Sequence, residues 1–105
     1  MKSTLFLAAA ALALAGTVQA QALDGAKLYT EKTCVACHGK DGTKPLTPEY
    51  PKVAGQNAKY AERQMLDIKS GARANGNTAA MKGVMHLVSD AEIKALAEYL
   101  SKLKP

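Results

Sequence analysis

The sequence predicts an all-α domain, and three observations support that fold class. Near the C-terminus, the apolar side chains of Ile93, Leu96, Ala97, Leu100 and Leu103 repeat at helical spacing and form one apolar face. No segment shows the convincing alternation of apolar and polar residues that is typical of a half-buried strand. The length of 105 residues fits one small domain and excludes a two-domain enzyme or a doubly wound sheet.

Residues 1–20 have the pattern of a secretory signal peptide. Lys2 supplies a short positive start, residues 5–15 contain no polar side chain, and Val18 and Ala20 suit a cleavage site. As a helix the apolar run spans roughly 16 Å, whereas the hydrocarbon core of a bilayer is about 30 Å thick. We therefore expect cleavage after Ala20, export to the periplasm, no membrane span and a mature domain of residues 21–105.

The remaining chain is poor in large apolar side chains. Hydrophobic residues make up 48% of the sequence, but residues 1–20 hold many of them, including the only Phe. There is no Trp. A small domain with so few bulky side chains needs another source of buried apolar area. The composition therefore indicates that the core contains a group that the polypeptide does not provide.

The segment Cys34-Val-Ala-Cys37-His38 carries the strongest chemical signal. A thioredoxin-like redox pair needs a sheet for which the chain has no strands, and a zinc site needs further ligands where only His86 remains. Covalent attachment of a c-type haem uses the whole motif, because two thiols on one helical turn bond the porphyrin while the histidine ligates the iron. We favour haem, with zinc and a disulfide as the alternatives.

An iron bound by one histidine needs a second axial ligand or keeps an open site. The candidates in the second half of the chain are Met65, Met81, Met85 and His86. Met65 lies in a helical pattern and is expected to fill the core. Met81 follows a polar, glycine-containing segment without a helical stripe, so we expect it in a loop from which it can reach the iron. Met81 is the first choice, with Met85 and His86 as alternatives.

Local signals predict the other elements in order. A short helix over 24–33 leads into the cysteine motif, and the glycines and prolines of 39–56 indicate a long loop. Helix capping signals then predict a helix over 57–69 that ends at Gly71. The pattern Ser-x-x-Glu at 89–92 is a capping box that begins the last helix.

On these residues the chain resembles the class I c-type cytochromes, particularly the small bacterial cytochromes c-553 and c4-like domains. The resemblance covers residues 23–103. It rests on the attachment segment, which is followed by Gly39, and on Gly25 together with Tyr99 in the last helix. It implies a cytochrome c-like fold of three to four short helices wrapped around one covalently attached haem. It also implies that the first and last helices cross closely at Gly25.

The resemblance further implies roles for individual residues. In that family a proline carbonyl accepts the ring N–H of the axial histidine, and Pro51 is the matching position. The axial methionine stands eight residues before the cap of the last helix, which indicates Met81 and leaves Met85 to pack in the haem pocket. Arg73 matches a c4-like position and is expected to contact a haem propionate, with surface exposure as the alternative.

A haem ligated by histidine and methionine exchanges single electrons and offers no free site to a substrate. We therefore expect a monomeric electron carrier without enzymatic activity, whose partners are redox donors and acceptors that dock at the haem edge. The alternatives are a haem subunit bound to a larger oxidoreductase, and an enzyme or gas sensor with an open iron site.

The net charge of +5 bears on those partners. Lysines near the expected haem edge favour an acidic partner, although a solvated lysine-rich surface is an equally good interpretation. No basic cluster lies beside aromatic residues, so nucleic-acid binding is not expected. The lysines concerned are Lys32, Lys40, Lys44, Lys52 and Lys82.

Overall fold

The computed structural model describes residues 23–105, which form five α-helices and no strand. The all-helical prediction is confirmed, with one helix more than expected in this part of the chain. The predicted signal peptide lies outside the described residues, and none of the five helices is both long and apolar enough to cross a membrane. The helices are α1 (Gly25–Glu31), α2 (Cys34–His38), α3 (Ala58–Ser70), α4 (Thr78–Met85) and α5 (Asp90–Lys102).

The helix predicted over 24–33 is shorter than expected, and the cysteine motif forms a separate helix. The side chain of Asp24 accepts a hydrogen bond from the backbone N–H of Lys27 at 3.2 Å, which begins α1. Thr33 has a φ of 66°, in the left-handed region that a β-branched residue rarely adopts. The helical path therefore stops at Glu31 and starts again at Cys34.

The predicted caps of α3 and α5 are present. The Asn57 side chain accepts the backbone N–H of Tyr60 at 3.0 Å, and Gly71 ends α3 with a φ of 91°. At the start of α5, Ser89 and Glu92 form the reciprocal capping box, with distances of 3.1 Å and 2.9 Å. The Ser89 backbone N–H, donating to Glu92, holds the pKa of that carboxyl below its usual value.

Helix α5 is the centre of the packing, because both α1 and α3 lie against it, while α4 lies against α3. The apolar face predicted for the last helix is buried except for Leu103, which follows the helix and is partly buried, and its members Ile93 and Leu96 are almost completely inaccessible to solvent. Met85 and Val88, from the end of α4 and the following turn, complete the fully buried set. These contacts form the core on which the shorter helices rest.

The first and last helices cross closely at Gly25. A Cβ atom placed on this glycine would lie 2.6 Å from the Cβ of Tyr99 and would also overlap the carbonyl of Ala95. Real Cβ atoms do not approach other atoms so closely, so only glycine fits at this position. The crossing agrees with the close approach that the family resemblance implied.

Residues 39–57 form the long loop that the glycines and prolines predicted, with neither helix nor strand. Backbone hydrogen bonds tie it to the helices at both ends. The N–H of Leu46 donates to Cys37 at 2.9 Å, and the N–H of Gly55 donates to Leu100 at 2.8 Å. These two bonds attach the loop to α2 and to α5, so the path of the loop is defined.

The expectation that Met81 lies in a loop is wrong, because residues 78–85 are helical. Thr78 is buried, and its backbone N–H and hydroxyl both contact the carbonyl of Asn75, which turns the chain into α4. Ala79, Ala80 and Met81 are good helix formers, so the helix propagates once this turn is made. The sequence pattern did not predict this short helix, because polar residues precede it and Gly83 lies within it.

We predict that Gly25→Ala lowers the free energy of unfolding by about 1–3 kcal/mol, because the added methyl group overpacks the crossing of α1 and α5. Gly83→Ala is the matched control. No atom lies within 4 Å of a Cβ at Gly83, so this change should stabilise α4 by about 0.5–1 kcal/mol. Guanidinium denaturation of the holoproteins measures both values, and a neutral Gly25→Ala variant would contradict the close crossing.

Candidate haem-binding site

A cavity of about 450 Å³ lies between the helices and the 39–57 loop. Its size is within the range of about 300–1,000 Å³ that is typical of small-molecule and cofactor sites. Apolar side chains from three helices and the 39–57 loop form much of its wall, and polar side chains lie around its rim. The apolar wall includes Val53, Ala61, Met65, Ile68, Val84, Leu96 and Leu100.

Both cysteines of the motif line this cavity from α2. They stand three positions apart on one helix, so the two sulfur atoms can face the same side. No disulfide joins them. Cys34 is buried, and this desolvation raises the pKa of its thiol to about 11. Among the described residues no three His, Cys, Asp or Glu side chains form a metal cluster, so the zinc alternative lacks its ligands.

His38 also lines the cavity and is buried, with 7% of its surface exposed. Its Nδ1 lies 2.8 Å from the carbonyl oxygen of Pro51. A carbonyl can only accept, so Nδ1 carries a proton, and in the neutral imidazole Nε2 then has the lone pair. The ring of Tyr50 lies edge-on to the imidazole, with centroids 6.5 Å apart. This arrangement leaves His38 with one nitrogen oriented by the loop and the other available to a metal.

Tyr29 holds the end of α2 in place. Its hydroxyl donates to the carbonyl of Gly39, directly after His38, at 2.6 Å. The ring is 2% exposed and lies against Tyr99, with centroids 5.7 Å apart. Burial is the main cause that raises the pKa of Tyr29, to about 12. The hydroxyl therefore remains a donor throughout the neutral range.

Met81 lines the same cavity as His38 and is partly buried on α4. Of the other three candidates for the second ligand, Met65 belongs to the apolar wall of this cavity and is buried, whereas Met85 and His86 lie elsewhere. Met85 is fully buried in the core and is not among the residues that line the cavity. His86 is exposed after the end of α4, beside Arg63 and Asp67 on a different surface.

Arg73 is half-buried at the cavity rather than fully exposed. Its Nη1 donates to Oε1 of Gln64 at 3.0 Å, and its backbone N–H donates to Asp67 at 3.0 Å. Gln64 also lines the cavity. The sequence contains no motif that marks this glutamine, although its position on α3 one turn from Ile68 and Ala61 places it near the cavity face.

Two more rim residues have no signal in the sequence. Glu49 from the loop and Asn77 from the residue before α4 both line the cavity. The Asn77 amide donates from Nδ2 to Oε2 of Glu49 at 3.0 Å. The two residues are far apart in the chain, so only the folded structure brings them together.

The lysines of the expected docking edge do not form one group. Lys52 lines the cavity and is exposed. Lys32, in contrast, donates to the carbonyl of Leu87 at 3.0 Å and lies 3.8 Å from the Glu92 carboxylate. Its charge therefore stabilises the turn between α4 and α5 and is partly neutralised.

The observed residues fit a covalently bound haem: two sulfur atoms and a free imidazole nitrogen face one apolar cavity. A comparison with protein families agrees, because the family model described as cytochrome c matches residues 22–104. The chain belongs to the cytochrome c family. Like its relatives, this cytochrome carries covalently attached haem c, and one haem fits the small domain.

Curated relatives and solved structures support the assignment. This cytochrome is 38% identical over 104 residues to cytochrome c-553 of Nitratidesulfovibrio vulgaris. The alignment covers 98% of this chain and 100% of the relative. It is 36% identical to the thiosulfate dehydrogenase electron acceptor of Stutzerimonas stutzeri, in an alignment that covers 98% of this chain and 50% of that protein. The reduced cytochrome c4 of Pseudomonas stutzeri superposes with a TM-score of 0.67 at 33% identity, over 76% of this chain and 46% of that one.

The chain therefore spans the whole length of the c-553 relative but only about half the length of the other two. Members of this family carry electrons by means of their haem, and this cytochrome is a haem-based electron carrier.

We predict that Tyr29→Phe lowers the free energy of unfolding of the holoprotein by about 1–2 kcal/mol at pH 7, because the Gly39 carbonyl loses its donor. The folded-state pKa of about 12 exceeds the usual value of 10, so the contribution of Tyr29 is complete below pH 10 and is lost as the pH rises towards 12. The difference between wild type and variant should shrink over that interval.

The control is Tyr60→Phe, since Tyr60 is 53% exposed and its loss of a hydroxyl should change stability by less than about 0.5 kcal/mol. Denaturant unfolding of the three proteins at several pH values measures the effect. Equal stability of Tyr29→Phe and wild type at pH 7 would contradict the role assigned to this hydroxyl.

Proposed function

We propose that this cytochrome is an exported one-electron carrier whose haem is attached through Cys34 and Cys37 and whose iron is ligated by His38 and Met81. The observation that carries the proposal is that all four side chains line one cavity. When bound there, the haem supplies one-electron exchange between ferrous and ferric iron. The chain's own residues determine how the haem is held, which sites stay closed and which partners can approach.

The attachment follows from the position of the two thiols. Cys34 and Cys37 are the only cysteines of the chain, and both lie on α2 at the cavity. Thioether bonds from both sulfur atoms would hold this five-residue helix to the haem at two points. The imidazole of His38, one residue after the second cysteine, then faces the iron from the same helix.

The proximal ligand is oriented by the 39–57 loop. The Pro51 carbonyl accepts from Nδ1 of His38, which fixes the tautomer and the rotation of the ring. A hydrogen bond to Nδ1 also increases the basicity of Nε2. The ring therefore remains in one orientation when the charge of the iron changes, which keeps reorganisation small.

Met81 closes the other axial position in this proposal. A neutral thioether stabilises ferrous iron relative to a second imidazole, and it leaves no site for a substrate or a gas. Met81 is partly buried on α4. This ligand set favours electron transfer and disfavours the alternative of an open-site enzyme or sensor.

At the rim, we propose that Arg73 contacts a haem propionate. Its guanidinium is held by Gln64, and a positively charged donor at the edge of an apolar cavity suits a carboxylate. Arg73 would thus hold a carboxylate of the haem at the polar rim.

The partners in this proposal are redox proteins that dock near the cavity mouth, where exposed Lys52 favours an acidic surface. One relative is named a thiosulfate dehydrogenase electron acceptor, which supports a role in accepting electrons from an oxidoreductase. The signal-peptide pattern of residues 1–20 supports export to the periplasm. We propose that the carrier is a monomer that moves between donor and acceptor.

We predict that Met81→Ala abolishes the methionine–iron charge-transfer band of the ferric holoprotein and allows the ferrous form to bind carbon monoxide at neutral pH. The thioether is removed and the sixth position opens, whereas His38 and both cysteines remain. Visible spectra of oxidised and reduced protein, with and without carbon monoxide, measure both effects.

The matched control is Met85→Leu, a buried swap of similar volume that should keep the band and cost less than about 1.5 kcal/mol of stability. Survival of the band in Met81→Ala would move the assignment to another methionine. Ready binding of carbon monoxide by the wild type would instead favour the open-site alternative.

A further inference from the structure

The hydrogen bond between Glu49 and Asn77 connects the two parts of the chain that bring the proposed axial ligands to the cavity. Glu49 lies two residues before Pro51, whose carbonyl orients His38. Asn77 is the residue immediately before α4, which carries Met81. Both side chains line the cavity and meet at 3.0 Å, so they bridge its rim.

This contact has no substitute in the described part of the chain. Within residues 23–105, no other hydrogen bond or salt bridge joins the 39–57 loop to the segment 72–88. Helix α4 packs against α3 and no other helix. The start of α4 therefore depends on Glu49 for its attachment to the histidine side of the cavity.

The local structure of α4 increases this dependence. The helix has only eight residues, its interior contains Gly83, and the Asn77 side chain makes no capping bond to it. Its first turn contains no acidic residue, although a negative charge at a helix N-terminus is stabilising. The carboxylate of Glu49, delivered from the loop, supplies that charge and accepts the Asn77 amide at the same time.

We propose that the Glu49–Asn77 hydrogen bond is a clasp that holds α4, and with it Met81, in the position for ligation. Glu49 and Asn77 are positioning residues, since they act on the iron through Met81. The inference rests on the proposed ligation by Met81. A movement of the start of α4 that carries Met81 away from the iron breaks the clasp. The clasp therefore stabilises the ligated state relative to the open one.

The test is a titration of the ferric holoprotein with imidazole, which competes with methionine for the sixth position. Glu49→Ala and Asn77→Ala should each tighten imidazole binding by about two- to fivefold, the range expected for one exposed, charge-assisted contact. The double variant should show no larger effect than the stronger single variant, because both substitutions remove the same contact.

Two further variants separate the clasp from a general loss of packing. Glu49→Gln keeps an amide oxygen that can accept from Asn77 but removes the charge, so its imidazole affinity should lie between those of the wild type and Glu49→Ala. Asn75→Ala removes a second amide from the same turn, and this side chain has no hydrogen bond to the loop among the described contacts. It should leave the imidazole affinity unchanged.

Unchanged imidazole affinity in Glu49→Ala, or effects of the two single variants that add in the double variant, would overturn the clasp. The charge-transfer band separates this failure from failure of the ligand assignment. If the wild type shows the band and Met81→Ala lacks it, an unresponsive Glu49→Ala variant refutes the clasp alone. If the wild type lacks the band, or Met81→Ala retains it, the ligation by Met81 is wrong and the clasp has no ligand to hold.

Discussion

The central cavity is the constraint on which the rest of the structure depends. Helices of five, seven and eight residues are too short to be stable in water by themselves, and α1, α2 and α4 have these lengths. α4 has a helical neighbour only in α3, and α2 only in α1. A haem held in the cavity gives these elements the apolar surface that the polypeptide lacks, so cofactor binding and folding are coupled.

The loop beside this cavity holds the hydrogen bond that orients His38. Residues 39–57 have no regular structure of their own, yet the Pro51 carbonyl must meet Nδ1 of a buried histidine. Backbone hydrogen bonds at Leu46 and Gly55 fix the loop on both sides of Pro51. Tyr29 fixes the chain directly after the histidine. The orientation of His38 is thus supported from both of its neighbouring segments, which suits a ligand that must not move during electron transfer.

Features set by local chemistry could be predicted from the sequence. The capping box of α5, the Asn57 cap and the loop of glycines and prolines depend on adjacent residues, and all three are present. The cysteine motif also indicated the cofactor, since its spacing brings both thiols to one side of a helix. The position of Pro51 came from the family resemblance, and its contact with His38 is the geometry that this resemblance implied.

Features set by tertiary contacts could not be predicted in the same way. The helical state of Met81 depends on the buried Thr78 and on packing against α3, which outweigh the polar segment before it and Gly83. The burial of Met85 depends on how α4 packs. The pairs Arg73–Gln64 and Glu49–Asn77 join separate segments, so no pattern in the sequence reveals them. These contacts surround the cavity, where the structure is organised around a group that the sequence does not contain.

The most direct test of this account is the thermal unfolding of the chain in which both Cys34 and Cys37 are replaced by alanine, so that no haem is attached. Circular dichroism of this variant and of the holoprotein should be recorded under the same conditions. Since the haem completes the core, the variant should show reduced helicity and no cooperative transition, whereas the holoprotein unfolds cooperatively. A variant with the helicity of the holoprotein and a cooperative transition would contradict the central claim.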